Sequence, residues 1–280
     1  MLAIPSRRLL CLALACLIGV AQGREAPTKV VSINLCTDQL LLMLAAPGQI
    51  ASVSYLARDP DSSFMARAAG VYPLNHARAE ELIALRPGLV LAGAYSDPRL
   101  LQLLRSLGMQ VEQFPLTHSI SGIETDIRRL AGLLGRERRG AALITRMRAR
   151  LARIATPTPT PPRQRPKALF YQPRGYTSGR HTLQDEALGL AGWRNLAADL
   201  GIEGYAPIDL ERLLLARPQQ IFSSEPVSGA YSRARQLLDH PALRALLGDR
   251  PMVQIPYKYW ICAGPMIADA VSLLAAAHDH

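Results

Sequence analysis

The chain has 280 residues, a length that allows one large or two ordinary domains, and its 49% of apolar residues excludes an intrinsically disordered chain. Its formal net charge of +10 raises the question of a nucleic-acid partner. The basic residues are dispersed except in the stretch 136–153, which we interpret as a solvated helix face rather than a nucleic-acid-binding surface.

The first 23 residues have the pattern of a signal peptide. Arg7 and Arg8 form a positive end, an apolar run of 13 residues follows at 9–21, and residues 21–23 carry the small side chains that a signal peptidase reads. The apolar run is shorter than the roughly 20 residues that a membrane-spanning helix needs. We therefore predict export with removal of residues 1–23, and we keep lipid anchoring at Cys16 as an alternative.

The segments that follow alternate between strand and helix patterns. A β-branched run at residues 30–33 predicts a buried strand, and residues 50–55 predict a second one. Between them, Thr37 and Asp38 predict the start of a helix that ends at Pro47-Gly48. Such alternation is typical of parallel sheets in α/β domains.

One helix–strand segment occurs twice, 131 residues apart. Residues 79–87 predict a short helix ended by proline and followed by a strand, and residues 210–218 repeat this pattern. Glu80 precedes its Arg-Pro pair by the same count as Glu211 does. The first strand and helix of the chain are repeated as well, by a strand at 167–171 and a helix at 185–190. The chain is therefore predicted to contain two homologous α/β lobes.

A helical pattern lies between the two predicted lobes. Residues 119–155 carry apolar side chains at helical spacing, and Ser121 with Glu124 forms a capping-box pattern at their start. We predict one long bridging helix over this stretch. Residues 156–166 are rich in Pro and Thr and predict an exposed connector into the second lobe.

In this order along the chain, the features resemble the periplasmic binding proteins for cobalamin and ferric siderophores. The motifs that carry the resemblance are residues 31–38, both Glu…Arg-Pro segments, 177–179 with 188–192, and 259–265. The resemblance covers about residues 28–280. It implies an α/β fold with two homologous parallel-sheet lobes, at 24–118 and 167–280, bridged by one long α-helix, with the ligand cleft between the lobes.

The resemblance also implies a binding protein rather than an enzyme. Such a protein would capture a corrinoid, haem or ferric-siderophore-type chelate in the periplasm as a monomer and deliver it to an inner-membrane ABC permease with its ATPase. It would have no intrinsic cofactor, no resident metal and no nucleic-acid partner.

Two other functions stay open. A binding protein for free zinc or manganese is one, although the histidines are scattered without ligand spacing: His76, His118, His181 and His240. An exported enzyme of unknown reaction is the other, although the chain has no nucleophile-elbow, zinc-protease or phosphate-loop motif.

The resemblance and the strand order together predict the ligand-contacting residues, because loops at the carboxyl ends of parallel strands form the crevice in such folds. In the first lobe these residues are Asn34, Cys36, Thr37, Tyr55, Asn75 and His76, and in the second they are Tyr176, Thr177, Ser178, Tyr205, Tyr259, Trp260 and Cys262. The aromatic side chains among them suit a broad, flat chelate. Tyr205 and Trp260 lie where cobalamin-binding members of the family place tryptophans.

The two cysteines that remain after removal of the signal peptide have three possible roles. Cys36 and Cys262 can be inert buried residues, a disulfide between the lobes, or thiols that contact the ligand's metal.

The repeated glutamates have a possible role in docking. In the first turn of a helix, a glutamate is favoured by the helix dipole alone. The resemblance implies that Glu80 and Glu211 pair with arginines of the permease, one from each lobe.

Overall fold

The computed structural model describes residues 26–154, 161–224, 238, 240–248 and 250–279. The predicted signal peptide with Cys16, and the first part of the predicted connector, lie outside the described residues. The connector residues that are described, 161–166, are mostly exposed. Among the described residues, no helix combines the length and the apolar character needed to cross a membrane.

The first lobe is a parallel sheet with helices between its strands. Its strands are β1 (Val30–Ser32), β2 (Ile50–Ser54), β3 (Leu74–Asn75), β4 (Leu89–Ala92) and β5 (Val111–Gln113). Its helices are α1 (Leu35–Leu44), α2 (Ala66–Ala69), α3 (Ala79–Leu85) and α4 (Pro98–Ser106). The strand order is β3-β2-β1-β4-β5, and β1 and β4 are buried throughout, as central strands covered on both faces must be.

The stretch 119–155, predicted as one bridging helix, contains two helices, α5 (Ile120–Leu133) and α6 (Glu137–Ile154). Gly135 ends α5 because its φ of +64° is left-handed, a conformation that glycine adopts without a steric penalty. The helix α5 packs against α1 and therefore belongs to the first lobe. The bridge is α6 alone, which packs against α5 on one side and the last helix of the second lobe on the other.

The predicted capping box at the start of α5 is also wrong. Ser119 is the cap, and its hydroxyl accepts a hydrogen bond from the Gly122 N–H. Glu124 is buried and is held instead by Arg128 on its own helix and Arg148 on α6. These arginines attract the carboxylate more strongly than a backbone N–H would, and they hold its pKa below its usual value.

The second lobe repeats the first. Its strands are β6 (Lys167–Phe170), β7 (Tyr176–Ser178), β8 (Arg194–Asn195), β9 (Tyr205–Pro207), β10 (Gln220–Ser223) and β11 (Val253–Gln254). Its helices are α7 (Leu183–Leu190), α8 (Leu196–Asp199), α9 (Leu210–Ala216), α10 (Pro241–Leu247) and α11 (Ile267–Ala276). The parallel sheet has the order β8-β6-β10-β11, which matches β2-β1-β4-β5 of the first lobe, and β7 and β9 form a separate antiparallel ribbon.

The repeated Glu…Arg-Pro segment has the same backbone geometry in both lobes. Arg86 and Arg217 end α3 and α9 in the left-handed conformation, with φ values of 46° and 49°. A residue before proline is disfavoured in the right-handed helical region, so the helix must end there. The prediction of two homologous parallel-sheet lobes is confirmed by this geometry and by the strand order.

The lobes share packing along α6. The largest apolar cluster includes Leu41 and Ile127 of the first lobe, Met147 of α6, and Phe222 and Val271 of the second lobe. In addition, Arg150 on α6 makes two hydrogen bonds to the Asp269 carboxylate on α11, at 2.6 and 3.1 Å. This continuous core restricts movement of one lobe relative to the other.

Candidate ligand cleft between the lobes

A cavity of about 250 Å³ lies between the lobes, at the carboxyl ends of the parallel strands. The first lobe lines it with Cys36, Thr37, Leu40, Tyr95, Asp126 and the segment 114–118, and the second lobe with Tyr205, Trp260, Ile261 and Ala263. Most of these side chains are apolar or aromatic, as is usual for small-molecule sites.

A second cavity of about 530 Å³ adjoins the first within the first lobe. Tyr95 lines both, so they are neighbouring compartments of one cleft. Tyr95 is 83% exposed. The second compartment is more polar, since Asn34, Ser96, Asp97 and Arg99 contribute to its wall.

The start of α1 positions Cys36 and Thr37 at the cavity. The cap of this helix is Asn34, whose side-chain oxygen accepts from the Cys36 N–H at 2.9 Å, so α1 begins at Leu35 and not near Thr37 as predicted. The Thr37 hydroxyl donates to the Asn34 carbonyl at 3.0 Å and lies 2.8 Å from the Ser32 hydroxyl. Thr37 therefore shapes the wall while its hydroxyl is engaged within the lobe.

Aromatic rings from the two lobes contact each other in the cavity wall. The ring centroids of His118 and Tyr205 are 6.3 Å apart. The Tyr205 hydroxyl donates to the Gln184 side chain at 2.7 Å, and burial raises the pKa of this phenol. Trp260 contacts Phe170 edge to face at 5.2 Å and is only 9% exposed, so it forms part of the cavity's inner wall.

One carboxyl group lies in the same wall. Asp126 on α5 accepts a hydrogen bond from the Thr117 hydroxyl. Burial raises the pKa of Asp126, and this effect outweighs the opposing effects of Thr117 and Arg129. The cavity thus offers a ligand one partly buried carboxyl group and one imidazole, that of His118.

The cysteines form a disulfide between the lobes. Cys36 in the first turn of α1 is bonded to Cys262 in the loop before α11, with the Cα atoms 5.0 Å apart. Neither sulfur is therefore a thiolate that could bind a metal. Cys36 lines the cavity, whereas Cys262 is only 2% exposed and lies behind the wall.

Three predicted residues of the first lobe lie outside both compartments. Tyr55 and His76 stack on each other, with centroids 5.2 Å apart and an interplanar angle of 18°, at the β2 and β3 edge of the sheet. Asn75 is buried, and its amide donates to the Ser32 carbonyl and the Ser52 hydroxyl. Its role in the structure is to tie β3 to its neighbouring strands.

Four predicted residues of the second lobe also lie outside the compartments. Thr177 and Ser178 are buried, and the Thr177 hydroxyl donates to the Phe170 carbonyl at 2.6 Å. Tyr176 is exposed on the antiparallel ribbon. Tyr259 contacts Phe64 of the first lobe, with centroids 5.9 Å apart, on the side of α6.

The prediction missed part of the cavity wall. Tyr95 follows β4, and the segment 114–118 follows β5. The rule that the residues after the carboxyl ends of parallel strands form the crevice was applied only to the first two strands of this lobe, and it would have found both. Asp126 carries no such signal, since it lies inside a helix.

The two repeated glutamates are exposed in the first turns of α3 and α9. Neither Glu80 nor Glu211 forms an ion pair with any residue that the structure describes. By contrast, the adjacent Glu81 accepts from the His76 backbone N–H at 2.7 Å, and this hydrogen bond is the main cause of its lowered pKa. Within the described ranges, no three His, Cys, Asp or Glu side chains are grouped to hold a metal ion.

Residues 30–246 match the sequence profile of a family described as periplasmic binding protein. A cobalamin-binding protein of Halobacterium salinarum strain R1 is 29% identical over 199 residues, which cover 70% of this chain and 53% of that protein. The chain thus spans about half the length of this relative. A vitamin B12-binding protein of Photorhabdus laumondii is 27% identical over 261 residues, covering 89% of this chain and 87% of the relative.

A similar fold occurs among solved structures. The periplasmic haem-binding protein of Vibrio cholerae superposes with a TM-score of 0.73, at 22% identity, over 89% of this chain and 98% of that one.

Proposed function

Because the chain belongs to the periplasmic binding protein family, we propose that it is the exported solute-binding component of an ABC importer. It captures a metal chelate of the corrinoid, haem or ferric-siderophore type and delivers it to an inner-membrane permease with its ATPase. The mature chain works in the periplasm as a monomer, after removal of residues 1–23.

The observation that carries this proposal is the cleft between the lobes. Aromatic and apolar side chains from both lobes line it, and Tyr95, Tyr205 and Trp260 offer ring faces or edges to a large conjugated ligand. The relatives named as cobalamin-binding and vitamin B12-binding proteins support a corrinoid. The His118 imidazole supports a metal-containing ligand, since it lines the cavity and can complete the coordination of a metal that the chelate already holds.

The delivery step is supported by the paired glutamates. Glu80 and Glu211 occupy the same position of the two repeats and are exposed without an ion-pair partner in the described part of the chain. Two separated carboxylates that meet arginines of a permease would fix orientation as well as affinity.

The proposal is tested by titrating the purified mature chain with cyanocobalamin, haemin, a ferric catecholate complex, Zn²⁺ and Mn²⁺. We expect one chelate to bind with one-to-one stoichiometry and a Kd of about 1 μM or below, equivalent to about −8 kcal/mol. Binding of Zn²⁺ or Mn²⁺ with that affinity and of none of the chelates would refute it in favour of a free-metal importer.

A further inference from the structure

The Cys36–Cys262 disulfide joins the two lobes at the inner end of the cleft. The polypeptide itself passes from the first lobe to the second through α6 and the connector after it. The disulfide, which spans 226 residues of sequence, is a second covalent connection at a different place. Two covalent connections between the lobes prevent relative movements of the lobes that a single bridging helix permits.

The segment bonded by this disulfide, residues 257–266, lies between two cavities. Trp260, Ile261 and Ala263 line the ligand cavity, while Pro265 and Met266 line another cavity of about 320 Å³ on the side of α6. Trp260, Cys262 and Met266 are buried, so the segment packs on the core while part of it forms the cavity wall. The position of this wall relative to the first lobe depends on the contacts that join the segment to that lobe.

Besides apolar packing in the core, the segment contacts the first lobe through two side chains. The Lys258 ammonium lies 3.5 Å from the Pro60 carbonyl oxygen in an exposed position, and the ring centroids of Tyr259 and Phe64 are 5.9 Å apart. The disulfide joins Cys262, which lies between the wall residues Ile261 and Ala263, to Cys36, which lines the cavity from the first lobe. It is a covalent restraint on the distance between these two parts of the cavity wall.

We propose that the Cys36–Cys262 disulfide positions the cleft wall for binding, so that ligand affinity depends on the oxidation state of this pair. In the oxidised chain the wall is held in place before the ligand arrives. In the reduced chain the two sides separate in part of the population, and the ligand must bring them together again. The apparent Kd then equals the intrinsic Kd divided by the fraction of molecules that are in the binding geometry.

The redox step is a two-electron reduction of the S–S bond. A phosphine attacks one sulfur, the other leaves as a thiolate, and water then supplies the oxygen of the phosphine oxide and the protons of the two thiols. The phosphine is oxidised as the disulfide is reduced. In an oxidising compartment a separate reaction restores the bond: a thiolate of the pair attacks a disulfide oxidant, and the second thiolate displaces it, so that the oxidant leaves as two thiols.

The first test does not depend on the ligand and uses hydrogen–deuterium exchange of the full mature chain. The oxidised protein is compared with the phosphine-reduced protein and with C36A/C262A, and the K258A variant serves as the control for the nearby non-covalent contact. We expect about fivefold faster exchange in residues 257–266 and in α1 when the disulfide is absent, with β6 and β10 unchanged. Equal acceleration in β6 and β10 would show a general stabilising role and overturn the proposal.

The second test rests on the proposed function and measures binding of cyanocobalamin and haemin without reductant. We expect C36A/C262A to bind the effective probe about tenfold more weakly than the oxidised chain, and K258A to bind it within about twofold. Unchanged or tighter binding by C36A/C262A would overturn the proposal. If neither probe binds the oxidised chain, the same comparison is made with the ferric catecholate complex. If that complex does not bind either, the proposed chelate function is at fault, and the exchange measurement still decides whether the disulfide holds the wall.

Discussion

A single buried carboxyl group makes the stability of the protein depend on pH. Asp38 on α1 is fully buried, and its carboxyl accepts hydrogen bonds from the backbone N–H and the hydroxyl of Ser54. Burial raises the pKa of Asp38 to about 7, although the bonds from Ser54 act in the opposite direction. The unfolded chain releases this proton near pH 4, whereas the folded chain retains it until about pH 7.

We therefore predict that the free energy of unfolding falls as the pH rises from about 4 to about 7, by up to about 4 kcal/mol from this group. The variant D38N keeps a neutral side chain of the same shape and should lose most of this dependence. Urea unfolding at pH 4.5 and 7.5 measures the difference, with the exposed Asp61 as a D61N control. If D38N and the wild type have the same pH dependence, the group is ionised in the folded chain.

Tyr205 provides the sharpest test of the cavity at the residue scale. Replacing it with alanine removes a ring from the wall, whereas replacing it with phenylalanine removes only the hydrogen bond to Gln184. We expect Y205A to weaken chelate binding about tenfold, equivalent to about 1.4 kcal/mol, and Y205F to weaken it less than threefold. The Y176A variant is the matched control, because Tyr176 is also half-exposed but lies outside both compartments. Equal effects of Y205A and Y176A would place the ligand elsewhere.

At the scale of elements, the ends of the helices decide where the lobes meet. The helix α5 starts at a cap by Ser119 and ends at Gly135, so it folds back onto the first lobe and leaves α6 to form the bridge. A helix running through both stretches would have placed Arg148 far from Glu124. The ion pair of these two residues instead joins the antiparallel helices.

We predict that S119A lowers the free energy of unfolding by about 1 kcal/mol, because the Gly122 N–H loses its acceptor. The S121A variant should change it by less than about 0.5 kcal/mol, since Ser121 is exposed and does not cap the helix. Chemical denaturation of both variants measures these values. A larger loss of unfolding free energy in S121A than in S119A would support the capping box that was predicted from the sequence.

At the scale of the whole molecule, the duplication places equivalent points of the two lobes on the surface. The exposed Glu80 and Glu211 begin α3 and α9, which end at the same left-handed Arg before proline. Neither glutamate lines either compartment of the cleft, although Ala79 beside Glu80 lines the second one. Docking and ligand binding can therefore be separated by mutation.

The double reversal E80R/E211R should abolish uptake of the chelate while leaving its Kd unchanged within about twofold, because repulsion replaces pairing with the permease at both contacts. Uptake is measured in cells that lack the endogenous chain, and binding is measured on the purified variant. The matched control is E137R/E203R, which reverses two exposed glutamates outside the repeated segments. Normal uptake by E80R/E211R would leave the repeat as a feature of the fold only.

The sequence by itself determined part of the strands and helices, the two parallel-sheet lobes and the repeated Glu…Arg-Pro segments. These follow from local causes: apolar periodicity, β-branched runs, and the steric effect of proline on the residue before it. Such causes act within a few residues of the chain, so they can be recognised from the sequence without knowledge of the tertiary structure. They also bring the carboxyl ends of the strands to the cleft, where Cys36, Thr37, Tyr205 and Trp260 line the cavity.

Only the tertiary structure decided which side chains face the cavity and how the cysteines are used. Asn75 lies in β3 and Thr177 in β7, and their side chains donate hydrogen bonds to buried backbone carbonyls instead of lining the cavity. Side-chain direction depends on the twist of the sheet and on neighbours far away in sequence. Cys36 and Cys262 meet because the two lobes pack together along α6, and no local pattern encodes that contact.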